Sequence, residues 1–117
     1  MKTFKDLIVW QRATEFATTV YKITSRFPAT EQYGLINQLR RAVVSIPSNI
    51  AEGSKRGSKK DFTHFLRMAQ GSCAEIETQI TIANNLEFLP EESYGELLQE
   101  LESIMKMLTK LINATKE

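Results

Sequence analysis

The 117-residue chain holds one cysteine, one histidine and one tryptophan, with only three prolines and five glycines. Each scarcity excludes something. A lone cysteine, Cys73, cannot form an intrachain disulfide, which suits a reducing cytoplasm. One histidine, His64, together with that one cysteine cannot supply the usual zinc ligand set. The glutamates of the second half lack the Glu-x-x-His spacing of carboxylate-bridged metal bundles. The opening "MKTFKDLIVWQR" has no apolar run long enough for a signal peptide, and no stretch reaches the roughly 20 apolar residues of a membrane span. A cytoplasmic protein without a cofactor or membrane contact is expected. A strong charge of one sign is missing too: 15 Lys and Arg oppose 14 Asp and Glu, for a net charge of +1. No whole-molecule field draws in a polyanion, so any electrostatic role must come from local clustering.

Catalytic constellations are equally absent. His64 has Asp61 three residues away, the pairing that a general base needs, but a solvated surface pair has the same spacing. Cys73 falls on an apolar stripe and reads as a small core residue rather than a nucleophile. The expectation is a protein that is not an enzyme.

What is present is helical period, in four segments, with no sustained alternation. The first is predicted over about residues 4–27 and ends at Pro28. Leu7, Trp10, Thr14, Ala17, Tyr21 and Thr24 form one stripe, and Val9, Ala13, Phe16, Val20 and Phe27 a second beside it. Together they span about 160° of the helical wheel, against the roughly 100° that a core-facing helix requires. Thr3 and Asp6 have capping-box spacing. The second helix is predicted over 31–52, with Thr30 as N-cap and Gly53 ending it in the left-handed conformation. Pro47 lies inside it. The apolar period continues from Ile46 to Ile50, which predicts one kinked helix, two shorter helices being the alternative. The third is predicted over 59–87, with Ser58 and Asp61 at its start. The fourth is predicted over 91–113, with Pro90 suited to its first turn. Its early glutamates and late lysines, Lys106 and Lys110, match the helix macrodipole. Four amphipathic helices with short links predict an all-α fold, an antiparallel up-and-down four-helix bundle forming a single domain over 1–117.

Three features exceed what such a fold needs. The link "GSKRGSKK" gathers Lys55, Arg56, Lys59 and Lys60, and Arg67 follows two turns on. Lysines at a helix N-terminus oppose the macrodipole, and with the free backbone N–H groups of that turn they make a concentrated positive site. A solvated loop, a site for nucleic acid or another polyanion, and a site for an acidic protein surface are the three readings. The second feature is a polar stripe, Gln38, Arg41, Ser45, Asn49 and Glu52, beside the apolar face of helix two. It is either a flank that helps satisfy the carbonyls freed by Pro47 or a subunit or partner surface. The third is small and apolar surface behind helix three, at Gly71, Thr78 and Ile82, where another helix could approach closely. Self-association is expected from it.

The segments "FKDLIVWQRA", "FPATEQYGLINQLRRAVVSIPSNIAEG" and "DFTHFLRMAQGSCAEIETQI" resemble the four-helix-bundle family named for proteins encoded in intervening sequences of large-subunit ribosomal RNA genes. The similarity covers nearly the whole chain. Phe4, Leu7, Trp10 and Gln11 match the opening. Gln38, Arg41, Ser45, Asn49, Glu52 and Gly53 match the central signature. Phe65, Gly71, Ser72, Glu75 and Glu77 match the third helix. The resemblance implies a bundle that assembles as a ring, a homopentamer. Similar proteins include the accessory subunit of diversity-generating retroelements, which binds nucleic acid and a reverse transcriptase. The combined expectation is a ring-forming bundle that binds nucleic acid, RNA or a nucleoprotein, through Lys55, Arg56, Lys59, Lys60 and Arg67. An oligomeric scaffold for another protein is the alternative.

Overall fold

Apolar stripes of helical period can leave water only by facing one another, and four of them do so here. The computed structural model describes residues 2–116. It contains helices α1 (Ile8–Thr24), α2 (Leu35–Lys55), α3 (Lys59–Asn85) and α4 (Ser93–Thr115), and no strand among the described residues. Neighbours in sequence are neighbours in space, and α4 closes the square against α1. Paired residues show that each helix runs opposite to the next. Ser45 meets Ser72 while Gly53 meets Phe65, and Thr63 meets Thr115 while Thr81 meets Tyr94. The body measures 44 × 24 × 20 Å. Its core is built on Leu39, Ile46, Ile50, Leu66, Ile76, Ile80, Ile104 and Leu108, all fully buried. Side chains of this size contribute about 1.5–3 kcal/mol each on burial.

The helix limits differ from expectation for local reasons. The capping box at Thr3 and Asp6 forms, but it caps a 3₁₀ turn, Phe4–Asp6, and α1 begins only at Ile8. The helix then stops at Thr24 rather than Phe27. The ring of Pro28 would meet the carbonyl of Thr24 in a continuing helix. The side chain of Phe27 still reaches the core and packs against Phe88, with ring centroids 5.6 Å apart. Of the two stripes on α1, the one carrying Val9, Ala13, Phe16 and Val20 is buried; in the other Ala17 and Thr24 are buried, Leu7, Trp10 and Thr14 half-buried and Tyr21 exposed.

Thr30 does not cap α2. Residues Ala29–Glu31 form a 3₁₀ turn, and the side-chain oxygen of Glu31 accepts from the N–H of Leu35 at 3.2 Å. Pro47 is buried inside a single continuous α2, so the predicted single helix is adopted rather than two shorter ones. Gly53 does not end that helix. It is buried within it, and a Cβ there would stand 2.6 Å from Cβ of Phe65. The left-handed glycine is Gly57, with φ of 93°.

At the end of α3, Phe88 N–H donates to Ala83 and Glu87 N–H to Asn84, a Schellman motif. It places Glu87 at φ 63°, which takes the residue out of the helix. Pro90 precedes α4 rather than entering its first turn, and accepts through its carbonyl from Ser93 N–H.

Candidate nucleic-acid interface

The α2–α3 connection needs three residues to reverse direction. Gly57 supplies the left-handed backbone, and the hydroxyl of Ser58 accepts from Asp61 N–H at 3.0 Å to start α3. This tight turn holds Lys55, Arg56, Lys59 and Lys60 together, all exposed. They are not equivalent. The guanidinium of Arg56 pairs with Glu52 at 2.6 Å and lies 4.9 Å over the ring of Phe65. Its fork is already engaged. Lys55, Lys59 and Lys60 form no ion pair among the described residues, and neither does Arg67, which projects from α3 two turns beyond Lys60. Glu52, expected on the polar stripe of α2, belongs to this end of the molecule through its pairing with Arg56.

The bundle topology adds cations that reasoning from the sequence missed. The N-terminus of α1 and the C-terminus of α4 lie at the same end as the α2–α3 turn. The hydroxyls of Thr63 and Thr115, 2.9 Å apart, join the last turn of α4 to the first turns of α3, and the Phe4–Asp6 turn packs on α2. Lys2, Lys5, Lys110 and Lys116 are thereby exposed beside the loop lysines. The carboxylate of Asp6 accepts from the backbone N–H groups of Lys2 and Thr3. The opposite end carries Glu31, Glu87, Glu91, Glu92 and Glu96 against Lys22 and Arg26. A chain of net charge +1 is thus dipolar along its 44 Å axis. The signal was readable in principle, since any up-and-down bundle gathers those three segments at one end.

The polar stripe of α2 faces α3 across an open cleft of about 460 Å³. Asn37, Gln38, Arg41, Ser45 and Asn49 line one wall, and Met68, Ser72 and Glu75 the other. At its floor the Ser45 hydroxyl and that of Ser72 are 2.6 Å apart, and Ser45 also donates to the carbonyl of Ala42. The carbonyl that Pro47 leaves without a helical partner is that of Val43, so this bond does not serve it. Tyr21, Val44, Met68 and Ile82 are exposed apolar side chains on α1, α2 and α3. Gly71 lies on α3 with open space where a Cβ would point.

His64 and Asp61 form no ion pair; the imidazole instead packs edge-on to Phe65 at 5.6 Å. Among the described residues no group of three His, Cys, Asp or Glu side chains is placed to hold a metal ion. Cys73 is buried at 1% exposure, and loss of solvation pushes its thiol up to about 12. The thiolate is the nucleophile. A thiol-specific disulfide reagent at about pH 8 should therefore leave native Cys73 unmodified and react promptly once the chain is unfolded. Prompt reaction of the native protein would contradict this burial. The sign of the pH effect follows. The folded thiol stays protonated while the unfolded one ionises near 9.0, so its contribution is present below that pH and is lost between pH 9.0 and about 12.

These features define a small all-helical bundle with one cationic end, one acidic end and a polar cleft bordered by apolar side chains. The chain belongs to the 23S rRNA-intervening sequence protein family, whose model matches residues 5–110. A crystal structure of a protein of unknown function from the S23 ribosomal protein family of Bacteroides thetaiotaomicron VPI-5482 is similar, with a TM-score of 0.80 and 25% identity. The match covers 90% of this chain and 98% of that one. No curated protein matches the chain. No helix among the described residues is long and apolar enough to cross a membrane.

Proposed function

We propose that the protein is a non-enzymatic, ring-forming bundle that binds nucleic acid, RNA or a nucleoprotein, through its cationic end. The observation that carries this is the convergence at one end of Lys2, Lys5, Lys55, Lys59, Lys60, Lys110 and Lys116, which outnumber Asp6, Glu52 and Asp61, the acids of that end among the described residues. Lysine contacts to phosphate position a nucleic acid without reading its bases, so sequence-independent binding is the expected mode. One copy offers a handful of phosphate contacts. A ring, a homopentamer as in the family resemblance, would present them side by side, and linked sites gain avidity without any new contact. The surface around Arg41, with Tyr21, Val44 and Met68, supports self-association, because aromatic residues, Met and Arg are enriched at interfaces where Lys is depleted.

The test couples two measurements. Light scattering on the purified protein is expected to give a particle of several subunits. Titration with nucleic acid over a series of salt concentrations is expected to give a log–log slope near −0.9 for each phosphate neutralised. A monomer whose affinity ignores salt would end the proposal. The same apolar surface also favours a second reading, a scaffold whose ring docks another protein. A partner retained after nuclease treatment, by a protein that itself binds no nucleic acid, would favour that reading.

A further inference from the structure

At the cationic end, one side of the bundle lacks a covering helix. The guanidinium of Arg12 on α1 donates to both carboxylate oxygens of Glu100 on α4, at 2.8 and 3.0 Å. The two helices are antiparallel. Ile8, four residues before Arg12, therefore lies roughly opposite Ile104, four residues after Glu100. From there α4 runs on to Thr115, roughly three turns past the first residue of α1. The chain before Ile8 does not cover that stretch. Its 3₁₀ turn, Phe4–Asp6, packs on α1 and α2 and not on α4.

A groove of about 320 Å³ results. Leu7 and Ile8 line it on the α1 side, and Met107, Leu111 and Ala114 on the α4 side, with Lys110 the only charged residue of the lining. Ile8 is 65% exposed, more than any other Leu, Ile or Val among the described residues. Single exposed apolar side chains are ordinary, whereas a groove walled by them marks a binding surface. The charge around it has one sign. From Ser103 to Lys116 the chain holds Lys106, Lys110 and Lys116 and no acid. Lys106 pairs with Glu102, while Lys110 and Lys116 form no ion pair among the described residues. A groove of about 300 Å³ between α3 and α4 also has apolar walls, at Leu98, Leu101 and Met105, but there Glu77 and Glu102 are the charged lining residues.

Aliphatic walls offer a nucleic acid neither a hydrogen-bond donor nor a flat ring for stacking. They suit the apolar stripe of a helix whose axis lies about 8–10 Å from that of α4, in line with α1. Lysines at the rim are complemented by carboxylates on that helix's flanks. We infer that the groove between the start of α1 and the end of α4 docks a short amphipathic helix of a partner protein, apolar on one face and acidic on its flanks. About three turns would complete the fourth side of the bundle, with apolar anchors at i, i+3, i+4 and i+7 against Ile8, Met107 and Leu111. The inference stands apart from the nucleic-acid reading, although Lys110 and Lys116 belong to both surfaces.

The experiment is a fluorescence-anisotropy titration of the full chain with labelled peptides of about 14 residues, near the length at which an isolated helix becomes marginally stable. The probe carries Leu at i, i+3, i+4 and i+7, Glu on both flanks and Ala elsewhere. One control replaces every Glu by Lys, and another scrambles the Leu positions. The probe is expected to bind saturably and both controls about tenfold more weakly. Ile8→Gln, a change at an exposed position, is expected to weaken probe binding about tenfold and to leave the nucleic-acid titration unchanged. Leu86→Gln, at an exposed leucine of the opposite end, is expected to alter neither. A Lys peptide bound as tightly as the Glu peptide overturns the acidic partner. Unchanged probe affinity in Ile8→Gln overturns the groove as its seat. Failure of the parent to bind the probe overturns the inference, and a smaller particle for Ile8→Gln in light scattering would then assign the groove to a second copy of this chain. A chain that binds the probe at this groove but no nucleic acid upholds the inference and ends only the function proposed above.

Discussion

Replacing Lys55, Lys59 and Lys60 together by glutamine is expected to weaken nucleic-acid binding by about two to three orders of magnitude at about 0.1 M salt. Each lost lysine removes one released counterion, so three contribute a factor of [salt] raised to about 2.7. The salt slope should become shallower by roughly the same amount, about 2.7, for duplex DNA. All three side chains are exposed and form no ion pair among the described residues, so the melting temperature should hardly change. Removing Lys59 and Lys60 from the start of α3 relieves an unfavourable macrodipole interaction, which acts in the stabilising direction. Arg56→Gln is a useful contrast. Its guanidinium is held by Glu52 and by the ring of Phe65, so its loss should cost less affinity than the loss of a loop lysine. A triple variant that binds as tightly as the parent, with the same slope, would move the interface elsewhere.

Gly53→Val is expected to destabilise the bundle by about 3 kcal/mol, lowering the melting temperature by about 10–15 °C. At this position α2 and α3 approach closely enough that even one added carbon would stand 2.6 Å from Cβ of Phe65. That atom is fixed to the backbone of α3, so a helix must move rather than a side-chain tip. The ring of Phe62, 3.1 Å from the same added carbon, is displaced as well. Gly53→Ala should be milder, because alanine recovers about 1 kcal/mol of helix propensity. Gly71→Ala gives the opposite result. Its neighbourhood is open in the single chain, so the propensity gain of about 1 kcal/mol should appear as a higher melting temperature. Weaker assembly in that variant, measured by light scattering, would place Gly71 under a neighbouring subunit. A thermal melt of Gly53→Val indistinguishable from the parent would show that the helices separate there at no cost.

The misplaced helix limits share one cause. Phe27 continues the apolar period of α1 and is buried, yet it is not helical, because Pro28 acts on the backbone while the period records only burial. Gly53 carries the identity of a helix stop but acts through its missing Cβ, in contact with a residue twelve positions away. Identity alone cannot separate these two uses of glycine. Pro47 was resolved correctly, since apolar spacing on both sides of it demanded one helix axis. In the candidate site, the loop lysines were visible as a cluster because they are adjacent in the chain. Lys2, Lys5, Lys110 and Lys116 were not, because they belong to opposite ends of the sequence. Arg56 looked equivalent to its neighbours until its ion pair with Glu52 and its place over Phe65 distinguished it.

Periodicity and punctuation along the chain were enough for the number of helices, their order and their buried faces. Those properties follow from local spacing and the exclusion of apolar groups from water. The contacts that join the helix termini at the cationic end, and the engagement of one arginine among unpaired lysines, required the packed bundle. Such features depend on distances between residues far apart in the chain, which only the closing of the core brings to a few ångströms.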